Sequence, residues 1–176
     1  MAAPTANACV TTVANLFWVT LTDRIEWVLL AYRLPREPSG PRVAVWRKLR
    51  RLGAIQLLDG LVALPADART REQLEWLADE VLEAGGESTV WLGRLGSAPQ
   101  ERALAERMSE ALAADYGAVA TEANAAAGEP DVSRRRTVAR LRRELQRIAR
   151  RDFFPPPDRE HARRAVDRLA QTVVTG

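Results

Sequence analysis

Ala54-Ile55-Gln56-Leu57-Leu58-Asp59-Gly60-Leu61-Val62-Ala63-Leu64 reads as two short apolar strands around a two-residue turn. The Asp59-Gly60 pair is the strongest local hairpin signal in the chain, because a type I′ turn needs two residues with positive φ. Pro65 stops the second strand. Upstream, a helix is predicted from Arg42 to Leu52. Ser39 caps it, Pro41 suits its first turn and Gly53 ends it. Val45, Trp46, Leu49 and Leu52 share one face, while Arg47, Lys48, Arg50 and Arg51 cover the other. Before that helix, the continuous apolar run Trp27–Arg33 reads as a buried strand. Downstream, Thr70 and Gln73 form a capping box. They open a helix with Leu74, Leu77, Ala78, Val81 and Leu82 on one face, and Gly85-Gly86 ends it. Ser88–Leu95 is again a strand. The order β-α-β-β-α-β predicts an α+β fold, a ferredoxin-like split βαβ domain with an antiparallel sheet and two helices on one face.

From Ser97 onward the pattern is helical only. Ser97 and Gln100 make a second capping box, and Leu104, Met108, Ala111, Leu112, Tyr116 and Val119 recur at helical spacing. Gly128-Glu129-Pro130 breaks the helix, and Ser133 caps the next. Val138, Leu141, Leu145 and Ile148 follow the 3-4-3 spacing of a helical hairpin. Pro155–Pro157 ends that helix. Asp158 caps a last one carrying Ala162, Ala165, Val166, Leu169 and Val173. The expected division is a disordered leader over 1–25, the ferredoxin-like domain over 26–96 and an α-helical hairpin extension over 97–176. The leader is apolar but lacks the basic start of a secretory signal and is too short for a membrane span, so no membrane association is expected. An overlong gene start is the other reading of it. The cytoplasm is the default location.

The chain of 176 residues carries 26 basic groups, of which only Lys48 is not Arg, and 23 acidic ones. The net charge of +3 conceals blocks of +4 over 1–66, −8 over 67–129 and +7 over 130–176. Nine Arg and one Glu fall between Arg134 and Arg151. Arg136, Arg140, Arg143 and Arg147 repeat at 4-3-4 spacing, so they form a stripe that needs acids or phosphates to neutralise it. Glu101, Glu106 and Glu110 are the expected internal partners. A single Cys, Cys9, excludes an internal disulfide and a multi-cysteine zinc site.

Several separated segments resemble the N-terminal domain of the chromate-resistance regulator ChrB family. These are Trp27–Ser39, Pro41–Ala54, Thr70–Leu77, Gly85–Trp91 and Arg150–Pro155, in order along most of the chain. The resemblance implies a cytoplasmic transcriptional regulator of a chromate-efflux operon that contacts DNA through basic residues. Family members typically continue into a C-terminal domain associated with the chromate response. The sequence ends at Gly176, so chromate sensing is not expected of these residues, and a separate chromate-response protein is a candidate partner. The fold also looks similar to the central domain of PaaX-type repressors and to the CRISPR-associated Cas2 proteins.

Cas2 proteins place a metal-binding Asp at the end of the first strand. Here Tyr32-Arg33-Leu34-Pro35 puts a cation there, which repels Mg²⁺. Asp59 alone makes no metal site, and His161 falls in the first turn of a helix. Neither a phosphate loop nor a nucleophile elbow occurs. No catalytic residue, metal or cofactor is therefore expected. Core packing is expected of Trp27, Trp46, Trp76 and Trp91, with base stacking the minor alternative. The remaining candidates are cations. Arg33 and Arg36 flank the first strand-to-helix loop. Arg42, Arg47, Lys48, Arg50 and Arg51 lie on the first helix, and Arg136, Arg140, Arg143 and Arg147 on the Arg-rich one. A DNA-binding homodimer is the first reading, a solvated helix face being the plain alternative for each group. A protein-interaction module acting through the hairpin or a sheet edge is the second reading. A Cas2-like nuclease is the third.

Overall fold

A computed structural model describes residues 24–174. Residues 1–23, with Cys9 and nearly all of the expected leader, lie outside the described residues, as does the side chain of Val173. The fold is α+β. Strands β1 (Trp27–Arg33), β2 (Ile55–Leu58), β3 (Leu61–Pro65) and β4 (Glu87–Gly93) form one sheet in the order β2-β3-β1-β4. Every neighbouring pair is antiparallel, with Leu30 opposite Val62 on one side and Val90 on the other. This order and these senses are compatible with a ferredoxin-like split βαβ unit. The β2–β3 hairpin forms at Asp59-Gly60 as expected. Gly60 has φ +75°, and its carbonyl accepts from Tyr32 N at 2.7 Å, stitching the turn to the end of β1.

Helices α1 (Gly40–Leu52) and α2 (Ala68–Glu83) pack on the sheet face that carries Val28, Leu30, Val62 and Leu64. Val45 and Leu49 bury α1, and Leu74, Leu77, Ala78 and Val81 bury α2. The rest of the chain is helical: α3 (Ala98–Ala125), a 3₁₀ turn (Ala126–Gly128), α4 (Asp131–Ala149) and α5 (Pro157–Val174). Their apolar stripes meet in a second cluster that includes Leu112, Tyr116, Val119, Val138, Leu141, Ile148, Val166 and Leu169. Ala111 is not in it and faces solvent. The first cluster reaches beyond the sheet and its two helices, taking in Leu104 and Met108 from α3 and Phe153 and Phe154 from the α4–α5 connection.

Several caps differ from the sequence expectation. Thr70 is not the cap of α2. The chain turns into the helix directly after β3, so Asp67 is the cap. Its carboxylate accepts from Thr70 N at 2.6 Å, and Thr70 Oγ1 accepts from Asp67 N at 2.9 Å. Thr70 Oγ1 also donates to Pro65 O at 2.7 Å, which leaves Gln73 no part in the box. Ser97 does cap α3, accepting from Gln100 N at 3.5 Å. Ser39 precedes α1 but is itself in the right-handed helical region, so its hydroxyl makes no capping bond. Ser133 lies inside α4 and donates to Glu129. Asp158 lies inside the first turn of α5.

The tryptophans divide as well. Trp27 is buried, but Trp46, Trp76 and Trp91 are 50, 62 and 61% exposed. Val45 and Leu49 already fill the contact of α1 with the sheet, and Leu74 and Leu77 do so for α2, so neighbouring residues in sequence point outward. Trp91 pairs with Leu29 on the sheet face away from α1 and α2, on an edge strand.

The end of α1 is fixed by a Schellman motif. Gly53 N donates to Arg50 O, and Ala54 N donates to Leu49 O at 3.0 Å. Gly53 has φ +78°, and a Cβ there would come 2.7 Å from Arg151 Cβ. Gly53→Ala is therefore expected to cost roughly 2–3 kcal/mol, combining left-handed strain with a backbone collision. Gly85→Ala, at φ +73° but with open space around its Cβ, carries the strain alone and should cost about 1 kcal/mol. Urea unfolding of the two variants measures the difference.

Candidate nucleic-acid interface

The Gly53–Arg151 contact brings together the C-terminal ends of two Arg-rich helices. Arg47, Arg50 and Arg51 come from α1, Arg147 from α4, and Arg150 and Arg151 from the turn that follows. Arg69 joins them from the first turn of α2. With Leu52 and Gln73 these seven guanidinium side chains line a cavity of about 520 Å³. A second, larger cleft of about 750 Å³ adjoins it, shares Arg50, Arg147 and Arg151, and adds Arg107 from α3.

Local contacts hold the cations in place. Arg151 donates to Asp115 at 2.6 Å. Arg147 forms two bonds to Glu144, the Nε one at 2.9 Å. Arg69 donates to Arg150 O at 3.3 Å and lies 5.8 Å over the Phe153 ring. The Arg50 guanidinium sits 5.1 Å over Trp46. Among the described residues, no carboxylate lies within ion-pair distance of Arg47, Arg50, Arg51, Arg69 or Arg150. Five unneutralised guanidiniums facing one hollow repel one another, and a bound polyanion relieves that repulsion. The hydrogen bond from Arg147 holds the Glu144 carboxyl below the usual carboxylate range, so this acid stays charged beside the cavity.

The other sequence candidates are elsewhere or already satisfied. Arg42 and Arg47 line a third cavity beside α1, of about 560 Å³, with Tyr32, Leu34, Val43 and Trp46. Arg33 ends β1 opposite Glu87, and Arg36 is exposed in the loop that follows. Lys48 is spent on Glu80 of α2, at 2.5 Å to both carboxylate oxygens. Arg140 forks onto Glu122 of α3, with one bond of 3.0 Å, and holds that carboxyl below its usual range. Arg136 and Arg143 are exposed on α4. The predicted stripe is thus split, and only Arg147 of its four members reaches the cavity.

Its acidic partners also differ from expectation. Glu101 is buried and accepts from Ile25 N at 2.5 Å, so it closes the start of α3 against the chain entering β1. Neither Glu106 nor Glu110 forms an ion pair among the described residues. Glu122 and Asp115 supply the acids from α3 instead, because they lie further along it, level with α4. Arg69, Arg150 and Arg151 are the site residues that sequence reasoning missed. For Arg150 and Arg151 the signal was the unbroken Arg150-Arg151-Asp152-Phe153-Phe154 run, whose aromatic pair must fold back onto a core, whereas nothing local marks Arg69.

Asp59 stays in the hairpin turn, where it accepts from Gln56 Nε2 at 3.2 Å. Among the described residues no group of three or more His, Cys, Asp and Glu could hold a metal ion. No described helix is long and apolar enough to cross a membrane.

A polyvalent anion should stabilise this cavity. In 20 mM sodium sulfate the melting temperature is expected to exceed that in sodium chloride of equal ionic strength by about 3 °C. Arg51→Gln with Arg150→Gln should erase the difference, which differential scanning calorimetry measures.

The chain is similar to known proteins over much of its length. The family model described as "Protein ChrB, N-terminal" matches residues 42–131. Protein ChrB of Cupriavidus metallidurans is 31% identical over 135 residues, covering 73% of this chain. The matched part is 40% of that relative's length. No solved structure matches the chain. With the family model spanning half of its residues, the chain belongs to the ChrB family, through that family's N-terminal domain.

Proposed function

We propose that this chain is the DNA-binding part of a transcriptional regulator associated with chromate resistance, acting without catalysis or cofactor. The observation that carries the reading is the convergence of Arg47, Arg50, Arg51, Arg69, Arg147, Arg150 and Arg151 from four parts of the chain into one cavity. Guanidiniums recognise phosphate oxygens through paired N–H donors, and their charge persists at every physiological pH. Arg42 extends the positive surface into the adjoining hollow, and Arg33, Arg36, Arg136 and Arg143 are further exposed cations available to a long polyanion. Lys48 and Arg140 act as internal clamps rather than contacts. The protein works in the cytoplasm, where its promoter is, and a homodimer suits a promoter of two half-sites.

Phosphate contact makes binding salt-dependent. With five free guanidiniums engaged, log K against log salt should fall with a slope of roughly −4.5. Fluorescence anisotropy on duplex DNA from the promoter of the chain's own operon, between 50 and 200 mM salt, measures it. Reversing Arg47 and Arg51 to Glu should weaken binding more than tenfold and flatten the slope by about 2. Glu83→Lys, on the exposed end of α2, should not weaken it. Undetectable binding at 50 mM salt overturns the proposal.

A second reading, a protein-interaction module partnering another regulator or a separate chromate-response protein, is favoured by one observation. Trp91 and Leu92 are 61 and 45% exposed on the edge strand β4. A tight protein complex, lost on Trp91→Ala, with DNA affinity no better than that of an unrelated basic protein, would select it.

A further inference from the structure

Beside the arginine cavity, Trp46 stands half exposed on the outer face of α1 and lines the third cavity with Tyr32, Leu34, Val43 and Arg42. Arg47 lines both cavities, so an aromatic hollow opens directly beside a cationic one. We infer that Trp46 is a stacking platform for an unpaired nucleobase of a DNA strand whose flanking phosphates lie along Arg42, Arg47 and the arginine cavity. The inference rests on the phosphate-binding reading above and adds to it the kind of strand the site takes.

Four features make the platform. Val45 and Leu49 bury the other side of α1, so the helix that carries Trp46 is anchored rather than loose. The Arg50 guanidinium lies 5.1 Å over the ring and restricts it, while half of the side chain stays exposed and lines the hollow. The far wall is rigid, because Tyr32 N is bonded to Gly60 O across the hairpin turn. Tyr32 lines the hollow, and burial, with secondarily the Asp59 charge, pushes its hydroxyl above the usual range, so it remains a neutral phenol.

Charge selects the ligand. The cations around Trp46 suit a planar group that carries anions on both sides, which is what a nucleotide within a strand is. Trp76 is more exposed but sits on α2 with Glu72, Asp79 and Glu83 within two turns, Arg71 there being paired with Glu75, so the net charge around it repels a phosphate backbone. Trp91 lies on the other sheet face, among Leu29 and Thr89. In an intact duplex the base faces are stacked and closed to a side chain, so the occupant is single-stranded or locally opened DNA.

Anisotropy with the full chain at constant salt tests this, using a labelled twelve-residue oligothymidine, the same backbone with abasic sites, and the corresponding RNA. The thymidine strand is expected to bind about tenfold more tightly than the abasic one. Trp46→Ala should reduce it to the abasic level without changing abasic binding. Trp46→Phe should restore most of the gap, and Trp76→Ala should leave it intact. Circular dichroism checks that each variant is folded.

Equal binding of thymidine and abasic strands, or equal effects of Trp46→Ala and Trp76→Ala, overturns the platform. If that binding still collapses in the Arg47→Glu, Arg51→Glu double variant, the phosphate reading stands alone. Preference for the RNA strand over DNA overturns the choice of DNA. Absence of binding to any strand or duplex overturns both readings.

Discussion

Phe154 lies against Trp27 with ring centroids 6.0 Å apart, and two residues earlier the Asp152 side chain is fully buried. Asp152 accepts from the Tyr116 hydroxyl at 2.7 Å and from Arg159 at 3.4 Å. The seven-residue connection between α4 and α5 therefore inserts an aromatic into the core of the sheet and a carboxylate among the helices. Both bonds go to Oδ2 while Oδ1 is buried without a partner, and since a buried carboxylate is costly without donors, these two bonds narrowly define its position. The Tyr116 hydroxyl, raised well above its usual range by burial and by that carboxylate, stays a donor throughout. Once Asp152 and Phe154 are seated, the direction of α4 is set, and with it the place where Arg147, Arg150 and Arg151 meet α1.

The cationic cavity follows from that connection and strains against it. Clustering guanidiniums costs free energy, and the molecule offsets part of the cost from its flanks. Asp115 holds Arg151 from behind, Glu144 holds Arg147, and Glu80 removes Lys48 from the array altogether. These exposed or half-exposed pairs contribute little individually to stability. Their larger effect is positional, since each one fixes a long side chain that would otherwise sweep solvent. The acidic middle of the chain is thus distributed between neutralising some arginines and leaving others available.

The sheet and its helices were legible because each element carries local instructions. Asp59-Gly60 sets the hairpin, Gly53 closes α1, and the 3-4-3 spacing of Val138 to Ile148 defines the buried stripe of α4. The cap at Asp67 was missed because Thr70 has the same local signature one turn later, and only the path out of β3 separates them. The site was less legible for a different reason. Arg47 and Arg51 were marked by their helix, but Arg69, Arg150 and Arg151 join them through contacts 81 residues or more apart in sequence, such as Arg69 to Arg150 O. Periodicity cannot encode a junction of that range. The exposure of Trp46, Trp76 and Trp91 was hidden too, since residue type predicts burial only until smaller neighbours have filled the available core.

Lys48 is the chain's only lysine, and its ammonium is clasped by Glu80. The surface facing the cavity is accordingly a guanidinium surface with no amine in it. Acetylation, the common cellular means of erasing positive charge from a protein face, has no substrate there, and neither do the amine-directed reagents used to map such faces. Protons cannot discharge it either, because arginine does not titrate in proteins. Neither protons nor lysine-directed modification can lower the positive potential of this face, so control over what it holds falls to competing anions, a covering partner, a movement of the Asp152–Phe154 connection or chemistry directed at the guanidiniums themselves.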